Sequence, residues 1–380
     1  MSLVQDVVEV LNTIAPLHLA ESWDNVGLLL GDFNAPVHHI MTCLTITPEV
    51  VEEAVREKAD MIVTHHPLLF KPVQRITDKT NEGRMLLKLA ANNIAIYSAH
   101  TAYDNAIDGI NDQLANGLGL LEVRPLSPAT APASFKIVVF VPETDLVKVS
   151  EAAFQAGAGV IGNYEQCSYR SAGTGTFFGI GEANPTIGLA DRREEVSEHR
   201  LEVLSSQTNL STVLAAIQRV HSYETPAIDV YPLHPQTQAI TYDAGSGRIG
   251  KLPAPLQSQA LAEQIAHLLK TPVLLTGDHP NKMINTVAIV CGAGGSLLSQ
   301  AIQAGADAFL TGEIRFHDEL AAQSAGVAVL AAGHYSTERP GMEELARRLA
   351  QSLPSCKVWA SYAEQNPARW IPMTTKARSD

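Results

Sequence analysis

Apolar runs alternate with segments of helical periodicity over the first 120 residues of the chain. At the start, apolar side chains recur at helical spacing, which predicts an amphipathic helix containing Val4, Val7, Val8, Leu11 and Ile14. Strand-like runs follow at 38–46, 61–64 and 94–98, and helical stretches at 83–91 and 107–118. Thr47 and Pro48 are typical of the N-cap and first turn of a further helix. Strands alternating with helices predict an α/β fold, with a sheet layered between helices.

The same alternation returns after about residue 250, but the middle of the chain is different. In the last third we predict strands at 285–291, 306–310 and 327–331 and helices at 294–304, 315–325 and 340–352, with Pro340 in the first turn. A Pro/Ala/Ser-rich linker at 127–134 precedes strand patterns near 163–170, 173–180, 199–205 and 227–232 and a helix at 210–220. This split βαβ order predicts an inserted ferredoxin-like α+β domain at 135–240, between the core halves 1–126 and 245–375.

Composition and charge exclude several classes of protein. The 380 residues are 46% hydrophobic and 18% charged, which supplies a core and excludes disorder. No apolar run is long enough to span a bilayer, and the acidic N-terminal segment does not resemble a signal peptide, so we expect a cytoplasmic protein without membrane contact. The net charge of −13 argues against nucleic acid as the main ligand. The four cysteines form no CxxC pair, which argues against a zinc ribbon or a disulfide framework.

Two adjacent histidines end the predicted strand at 61–64. His65 and His66 are followed by Pro67, and ligands of α/β proteins gather at the carboxyl ends of strands. Neighbouring strand residues point to opposite faces, so we expect each histidine to serve a different ion of a metal pair if the backbone turns there. The alternative is a pair of partly exposed loop histidines. His38 and His39 open a strand instead, and we expect no metal from them.

Other predicted strands also end in imidazoles and carboxylates. Asp104 is either an oxygen ligand or a helix N-cap, and Glu338 is either a ligand or a solvated acid in the first turn of a helix. If their segment is helical, His334 and Glu338 share one face because they are four residues apart. The strand ends would bring these groups to one edge of one sheet: His65, His66, His100, Asp104, Glu313, His317, His334 and Glu338. Such ligands, without thiolates, suit Zn, Mn or Fe(II), and two such ions can activate water for hydrolysis.

Two glycine-rich motifs need separate interpretations. The run 245–250 matches GxGxxG, but Pro253 and Pro255 follow it, so it does not open a helix and we reject dinucleotide binding. The run 291–296 lies between a predicted strand and helix without the lysine of a P-loop. Its backbone amides could hold a phosphate, or it could be a turn that permits tight packing.

Several motifs together resemble the NIF-three-like family, whose bacterial members are often labelled GTP cyclohydrolase 1 type 2 homologues or dinuclear metal centre proteins. The resemblance covers about residues 1–125 and 245–375. It rests on Trp23-Asp24-Asn25-Val26-Gly27, Thr64-His65-His66-Pro67, His100-Thr101 with Asp104, Gly247-Arg248-Ile249-Gly250, Thr311-Gly312-Glu313, and Gly333-His334 with Glu338.

The resemblance implies a NIF-three-like layered α/β core that holds two divalent ions per subunit. It also implies a toroidal homohexamer with the metals facing its inner cavity, and an inserted domain similar to the PII and CutA proteins. Carried over by position, the family's ligands are His65, His66, Asp104, His334 and Glu338. Ala102-Tyr103 replaces the Asn-Leu that is common in the family, which would alter the pocket and the substrate preference.

The leading functional hypothesis is a metal-dependent hydrolase that acts on a small molecule of the nucleotide class, with GTP ring opening as one candidate reaction. In this hypothesis Glu338 is a bridging or orienting carboxylate and His100 a proton shuttle outside the ligand set. The alternative is a non-catalytic metal-binding scaffold or regulator, in which the PII-like domain senses a ligand or recruits a partner.

Overall fold

The structure, a computed structural model, describes residues 2–129, 134–162, 164–233, 243–277 and 282–369. The chain divides into two compact units. The first, called here the core unit, comprises Met1–Ala129 and Thr241–Asp380, and the second, the middle unit, is Thr130–Ile240. Residues 130–133 of the expected linker and residues 234–242, where the expected domain boundary falls, lie outside the described residues.

The elements form a mixed α/β fold. In chain order, the described strands are β1 (Ser2–Leu3), β2 (Gly27–Leu30), β3 (Pro36–Val37), β4 (His39–Cys43), β5 (Met61–Thr64), β6 (Ala95–Ser98), β7 (Leu121–Pro128), β8 (Ser134–Pro142), β9 (Ser168–Phe178), β10 (Arg193–Ser206), β11 (Ile228–Pro232), β12 (Gly245–Gln257), β13 (Leu274–Thr276), β14 (Met283–Val290), β15 (Ala308–Thr311), β16 (Ala328–Ala331) and β17 (Lys357–Ala360). The described α-helices are α1 (Val4–Ile14), α2 (Pro48–Arg56), α3 (Asn81–Ala91), α4 (His100–Asn105), α5 (Ile110–Gly117), α6 (Leu146–Gln155), α7 (Leu210–Val220), α8 (Ser258–Leu269), α9 (Leu298–Gln303), α10 (Phe316–Ala325) and α11 (His334–Ser352).

A five-stranded sheet in the core unit has the order β17-β4-β5-β6-β2. Strands β17, β4, β5 and β6 are parallel, and β2 closes the edge in the antiparallel sense. Every residue of β5 is buried, as is typical of a parallel strand covered on both faces. Helix α2 begins as predicted, with the Thr47 hydroxyl accepting a hydrogen bond from the Val50 amide and Pro48 in the first turn.

A second sheet of the core unit has the order β13-β16-β15-β14-β12-β7. Strands β14, β15 and β16 are parallel to one another, while the long strand β12 pairs with β14 in the antiparallel sense and is itself covered by β7. The expectation of a single sheet edge was therefore wrong. Because β12 and β7 occupy the free edge of β14, strands β14–β16 cannot extend the sheet that contains β5 and β6, and the candidate strand ends belong to two sheets.

One hydrophobic core joins the two sheets of the core unit. Its buried members include Met61 and Val63 from β5, Val287 and Ile289 from β14, and apolar residues of α1, α4, α5, α8 and α11. On their other faces, the five-stranded sheet packs against α2 and α3 and the six-stranded sheet against α9 and α10. The core unit is thus layered as helices, sheet, helices, sheet, helices, and the central layer includes α4 and α11.

The middle unit contains an antiparallel sheet in the order β11-β8-β10-β9, with α6 following β8 and α7 following β10. Ile137, Val139, Leu201 and Val203 pack with α6 and α7 in its core. The structure has a single strand, β9, where the sequence analysis expected two strands near 163–170 and 173–180. Glycines in this stretch do not end the strand, because β9 pairs with β10 along its whole length.

Two further outcomes concern the C-terminal half of the chain. The last long helix, α11, begins at His334, so Pro340 lies inside it and the expected start at Pro340 was wrong. Gly333 has a φ of 88°, which lets the chain turn directly from β16 into the helix. The 245–250 run opens strand β12, which confirms that it does not begin a helix. Among the helices that the structure describes, none is both long and apolar enough to cross a membrane.

A buried arginine joins the two chain segments of the core unit. Arg248 on β12 is 1% exposed and pairs with both carboxylate oxygens of Asp112 on α5. Its guanidinium also donates to the carbonyl oxygens of Ala106, Gly245 and Gly247, each at 2.7 Å. All of these acceptors would lose their donor together if the guanidinium were removed.

We expect Arg248→Met to destabilise the protein by about 3–5 kcal/mol, because it leaves the Asp112 carboxylate without its buried partner. Arg347→Met is the matched control, since Arg347 pairs with Glu344 while 56% exposed, and should cost far less stability because water screens an exposed pair. Urea unfolding of both EDTA-treated variants measures the difference. Equal losses of stability would show that the Arg248 network contributes no more than a surface ion pair.

Candidate metal centre

His65 and His66 lie just beyond the carboxyl end of β5, where the chain turns out of the sheet. The His65 amide donates to the Cys43 carbonyl and the His66 amide to the Leu44 carbonyl, at 2.9 and 2.8 Å. His65 is fully buried, whereas the His66 side chain is 27% exposed. The Nδ1 atom of His66 is 2.7 Å from the hydroxyl of Thr45, so its Nε2 atom faces the cluster described below.

Helix α4 begins at His100, directly after β6, and carries Asp104 on its second turn. His100 has a φ of 22°, which L residues rarely adopt, so its position is held by its surroundings. The Nδ1 atom of His100 is 2.7 Å from Oδ1 of Asp24, and the other Asp24 oxygen accepts hydrogen bonds from the amide and hydroxyl of Thr101. This leaves Nε2 as the free nitrogen of the His100 ring.

His334 and Glu338 share one face of α11, as their spacing predicted. Nε2 of His334 is 3.1 Å from Oε2 of Glu338, and Nε2 of His66 approaches the same oxygen to 3.1 Å. On the other side, Nε2 of His65 is 4.0 Å from Oε1 of Glu338 and 3.6 Å from Oδ1 of Asp104. The two oxygens of Glu338 therefore face different histidines.

Two three-residue groups bring potential ligand atoms within 4.8 Å of one another. One group is His65, His66 and His100, and the other is His66, His334 and Glu338. Both ring nitrogens of His65 and Oδ1 of Asp104 are buried without a hydrogen-bond partner. A buried polar atom without a partner costs about 1–3 kcal/mol. A cation would satisfy Nε2 of His65 and Oδ1 of Asp104, which are 3.6 Å apart. The donor set thus fits a metal site.

The pKa values at the cluster are shifted by burial and by mutual contact. Burial holds the pKa of His65 well below its ordinary value, so the ring is neutral, as a ligand must be. Burial, followed by the charge of Glu338, raises the pKa of Asp104. Burial alone would raise the pKa of Glu338, but the contacts with His334 and His66 outweigh burial and lower this pKa. The contact with Glu338 raises the pKa of His334 to about 9.

The glycine-rich turn at 291–296 packs against the cluster. A Cβ atom on Gly292 would lie 2.0 Å from Oε1 of Glu338, and one on Gly312 would lie 2.8 Å from the Cα atom of His334. The Gly292 amide donates to the hydroxyl of Thr337, one residue before Glu338. Of the two interpretations of this turn, the structure supports close packing, because glycine is needed for α11 to approach.

Other histidines and acids named from the sequence lie outside the two groups. Glu313 is at the edge of the cluster, with Oε1 3.5 Å from Nδ1 of His334 and the side chain 62% exposed. His317 lies on α10 beside the ring of Phe316 and belongs to neither group. His39 opens β4, where its Nδ1 is 2.9 Å from the Lys58 carbonyl, and His38 precedes it, as the sequence predicted.

Sequence reasoning assigned no role to Asp24 or to an aromatic pair beside it. Trp23 and Phe70 are 60% and 49% exposed, with ring centroids 6.0 Å apart, and both rings lie within 6.2 Å of the His100 ring. The Asn25 side chain donates to the Leu69 carbonyl and so joins the two loops. The sequence did contain one signal for this group, the Trp-Asp-Asn run at 23–25, which combines polar and aromatic residues in a loop.

A mixed α/β core unit with histidines and carboxylates clustered where its two sheets meet defines a protein with a candidate metal centre. The profile of the family Duf34/NIF3 (NGG1p interacting factor 3) matches residues 2–367, and the chain belongs to this family. Over 370 residues it is 34% identical to a protein of Halalkalibacterium halodurans named "GTP cyclohydrolase 1 type 2 homolog", covering 97% of this chain and 98% of that one.

Two other similar proteins agree with this assignment. A Listeria innocua protein with the same name is 35% identical over 327 residues, which is 86% of each chain. The crystal structure of a Bacillus cereus protein related to NIF3 is 32% identical and superimposes with a TM-score of 0.71 over 97% of this chain and 99% of that one.

In the metal-free protein we expect His334 to titrate with a pKa of about 9, because the neighbouring Glu338 carboxylate favours the charged ring. Since this pKa is raised above the ordinary 6.5, the pair stabilises the metal-free fold fully below pH 6.5 and ceases to do so as the pH rises through about 9. NMR titration of the imidazole protons in EDTA-treated protein measures it. Glu338→Gln should return the pKa toward 6.5; an unchanged value would disprove the pairing.

Proposed function

We propose that the core unit holds two divalent ions, with Zn, Mn or Fe(II) as candidates, and acts as a metal-dependent hydrolase on a nucleotide-class small molecule. The observation that carries the proposal is the set of buried, unpartnered nitrogen and oxygen atoms on His65 and Asp104. Two divalent ions supply an activated water nucleophile and neutralise developing charge. The name of these relatives, "GTP cyclohydrolase 1 type 2 homolog", makes GTP the first substrate to test.

The proposed ligands divide at the carboxylate of Glu338. His65 faces its Oε1 atom and lies beside Asp104, and these two residues would hold one ion, while His66 and His334 face Oε2 and would hold the other. Glu338 would then be a ligand of both ions, and its negative charge would offset the repulsion between two neighbouring cations.

His100 takes the catalytic role in this proposal. Its Nδ1 is engaged by Asp24, which orients the ring, and its Nε2 is left to receive or give a proton. The hydrogen bonds from His100 and Thr101 outweigh burial and lower the pKa of Asp24 to about 2, so Asp24 stays charged. Asp24 is thus a positioning residue for His100.

Trp23 and Phe70 support the nucleotide class of substrate. Exposed aromatic rings beside a polar centre offer a stacking surface for a planar base, and stacking on such a ring contributes about 1–3 kcal/mol per base. Their distance from His100 would place a stacked base next to the proton-transferring group.

We propose that the middle unit is an inserted ferredoxin-like domain of the PII/CutA kind. This domain spans 135–240 and separates the two halves of the core, 1–126 and 245–375. Its support is the strand and helix order β8-α6-β9-β10-α7-β11 and the sheet order in which β8 and β10 are central. The Ala129 amide donates to the Ala244 carbonyl, so the two chain segments that flank the insertion are adjacent. The toroidal homohexamer is proposed on the family resemblance, and the cytoplasmic location because all four cysteines are free, as is usual in a reducing compartment.

The metal assignment predicts unequal losses from two single substitutions. Glu338→Ala removes a ligand from both ions and should bring bound metal well below one ion per chain, because a change even outside the ligand set costs about 10–100-fold in affinity. His66→Ala should keep close to one ion. Elemental analysis after identical dialysis measures both, with the double variant His38→Ala, His39→Ala as the control that keeps full metal. Near-full occupancy in Glu338→Ala would refute the bridge.

The catalytic assignment predicts turnover that depends on metal and on stacking. We expect metal-loaded protein to hydrolyse at least one member of a nucleotide panel that includes GTP, and EDTA or Asp104→Ala to abolish the reaction. Trp23→Ala should raise KM by about 5–100-fold at unchanged metal content, as loss of one stacking surface implies. Phe33→Ala, which removes another half-exposed aromatic ring, is the control. Metal binding without any turnover would favour the scaffold instead.

A further inference from the structure

A cavity of about 440 Å³ lies on the outer face of the sheet in the middle unit. Because Ile137, Val139 and Leu201 pack against α6 and α7, the alternate residues Phe140 and Glu198 project from the opposite face. The segment 179–187, which follows β9, covers part of this face. Thr186 on that segment donates a hydrogen bond to the Ser222 carbonyl at 2.6 Å.

The cavity wall is mostly apolar but carries one carboxylate held by neighbouring groups. Phe140, Phe177 and Ile187 supply apolar surface. The Tyr223 hydroxyl donates to Oε1 of Glu198 at 2.8 Å. A Cβ atom on Gly175 would lie 2.0 Å from Oε2 of Glu198, so a side chain at position 175 would displace the carboxylate.

No cation in the described part of the chain pairs with Glu198. Two basic groups of the same sheet are engaged elsewhere, since Arg200 and Lys136 both pair with Glu202, at 2.8 and 3.4 Å. A second carboxylate, that of Glu224, also lines the cavity. The cavity therefore combines apolar walls with uncompensated negative charge, and a pocket of this size accepts a small organic molecule.

We infer that this cavity binds a small organic cation, an aromatic or other apolar body that carries a protonated amine. The ammonium group would pair with the free Oε2 atom of Glu198, and the rings of Phe140 and Phe177 would contact the apolar body. Of the residues that line the cavity, none belongs to the candidate metal centre. The site is thus separate in residues and in chemistry from the proposed hydrolase, and it does not depend on that proposal.

Tryptamine and indole-3-propionate are suitable probes, because they share a ring system and differ in the sign of their charge. We expect the full-length protein to bind tryptamine at least about tenfold more tightly, the difference that one charge-assisted hydrogen bond provides. Ligand-observed NMR and calorimetry measure both affinities. Glu198→Gln should abolish the preference. The control Glu195→Gln removes an exposed carboxylate of the same strand that does not line the cavity, and should keep it.

A second variant protects the test against misfolding of Glu198→Gln. Ala183→Phe fills the cavity from the covering segment and should weaken tryptamine at least about tenfold without changing the far-UV spectrum or the metal content. The inference is overturned if tryptamine does not bind at its limit of solubility, as would follow if a second copy covered this face. It is also overturned if both probes bind equally, or if Glu198→Gln or Ala183→Phe binds tryptamine as the unaltered protein does.

Discussion

The carboxylate of Glu338 is 4% exposed, and its charge must be balanced inside the protein because so little water reaches it. The groups that balance it come from different layers of the core unit. His66 follows a strand of the five-stranded sheet, and His334 precedes Glu338 at the start of α11, after a strand of the other sheet. The buried charge therefore requires the two sheets to meet with their strand ends facing each other. The glycines at 292 and 312 meet this requirement, since any side chain there would hold α11 away.

The two buried acids of the cluster, Glu338 and Asp104, have pKa values that are shifted in opposite directions. Glu338 contacts imidazole rings and stays ionised. Asp104 is buried close to another carboxylate, and both effects raise its pKa. The protein groups around the cluster therefore favour the ionised form of Glu338 but not that of Asp104. A cation would remove the conflict, because it favours the ionised form of both. The pKa shifts and the unpartnered atoms thus both favour a cation at this cluster.

Much of the core unit could be predicted from the sequence because its strands are short, apolar and bounded by strong local cues. The strand at Met61–Thr64 and the N-cap at Thr47 were confirmed, and the four-residue spacing of His334 and Glu338 did place them on one helical face. The division into two sheets was not predictable, since strand pairing depends on distant partners such as β12 rather than on local pattern. Pro340 was misleading for a related reason: a positive φ at Gly333 starts the helix earlier, and nothing near Pro340 reveals this. Asp24, Trp23 and Phe70 were missed because a loop residue acquires its role from what packs against it.

The residues of the cluster come from the two ends of the core unit's sequence, with His65, His66 and Asp104 before the middle unit and His334 and Glu338 after it. Strand β7 pairs with β12, and β4 pairs with β17, close to the C-terminal end. A chain emerging from the ribosome therefore carries these histidines throughout the synthesis of the middle unit, before Glu338 has been made. The middle unit can fold as that synthesis proceeds, whereas the residues of the candidate metal centre can come together only when α11 has been made. Chains that stop before α11 consequently lack both His334 and Glu338 of the candidate metal centre.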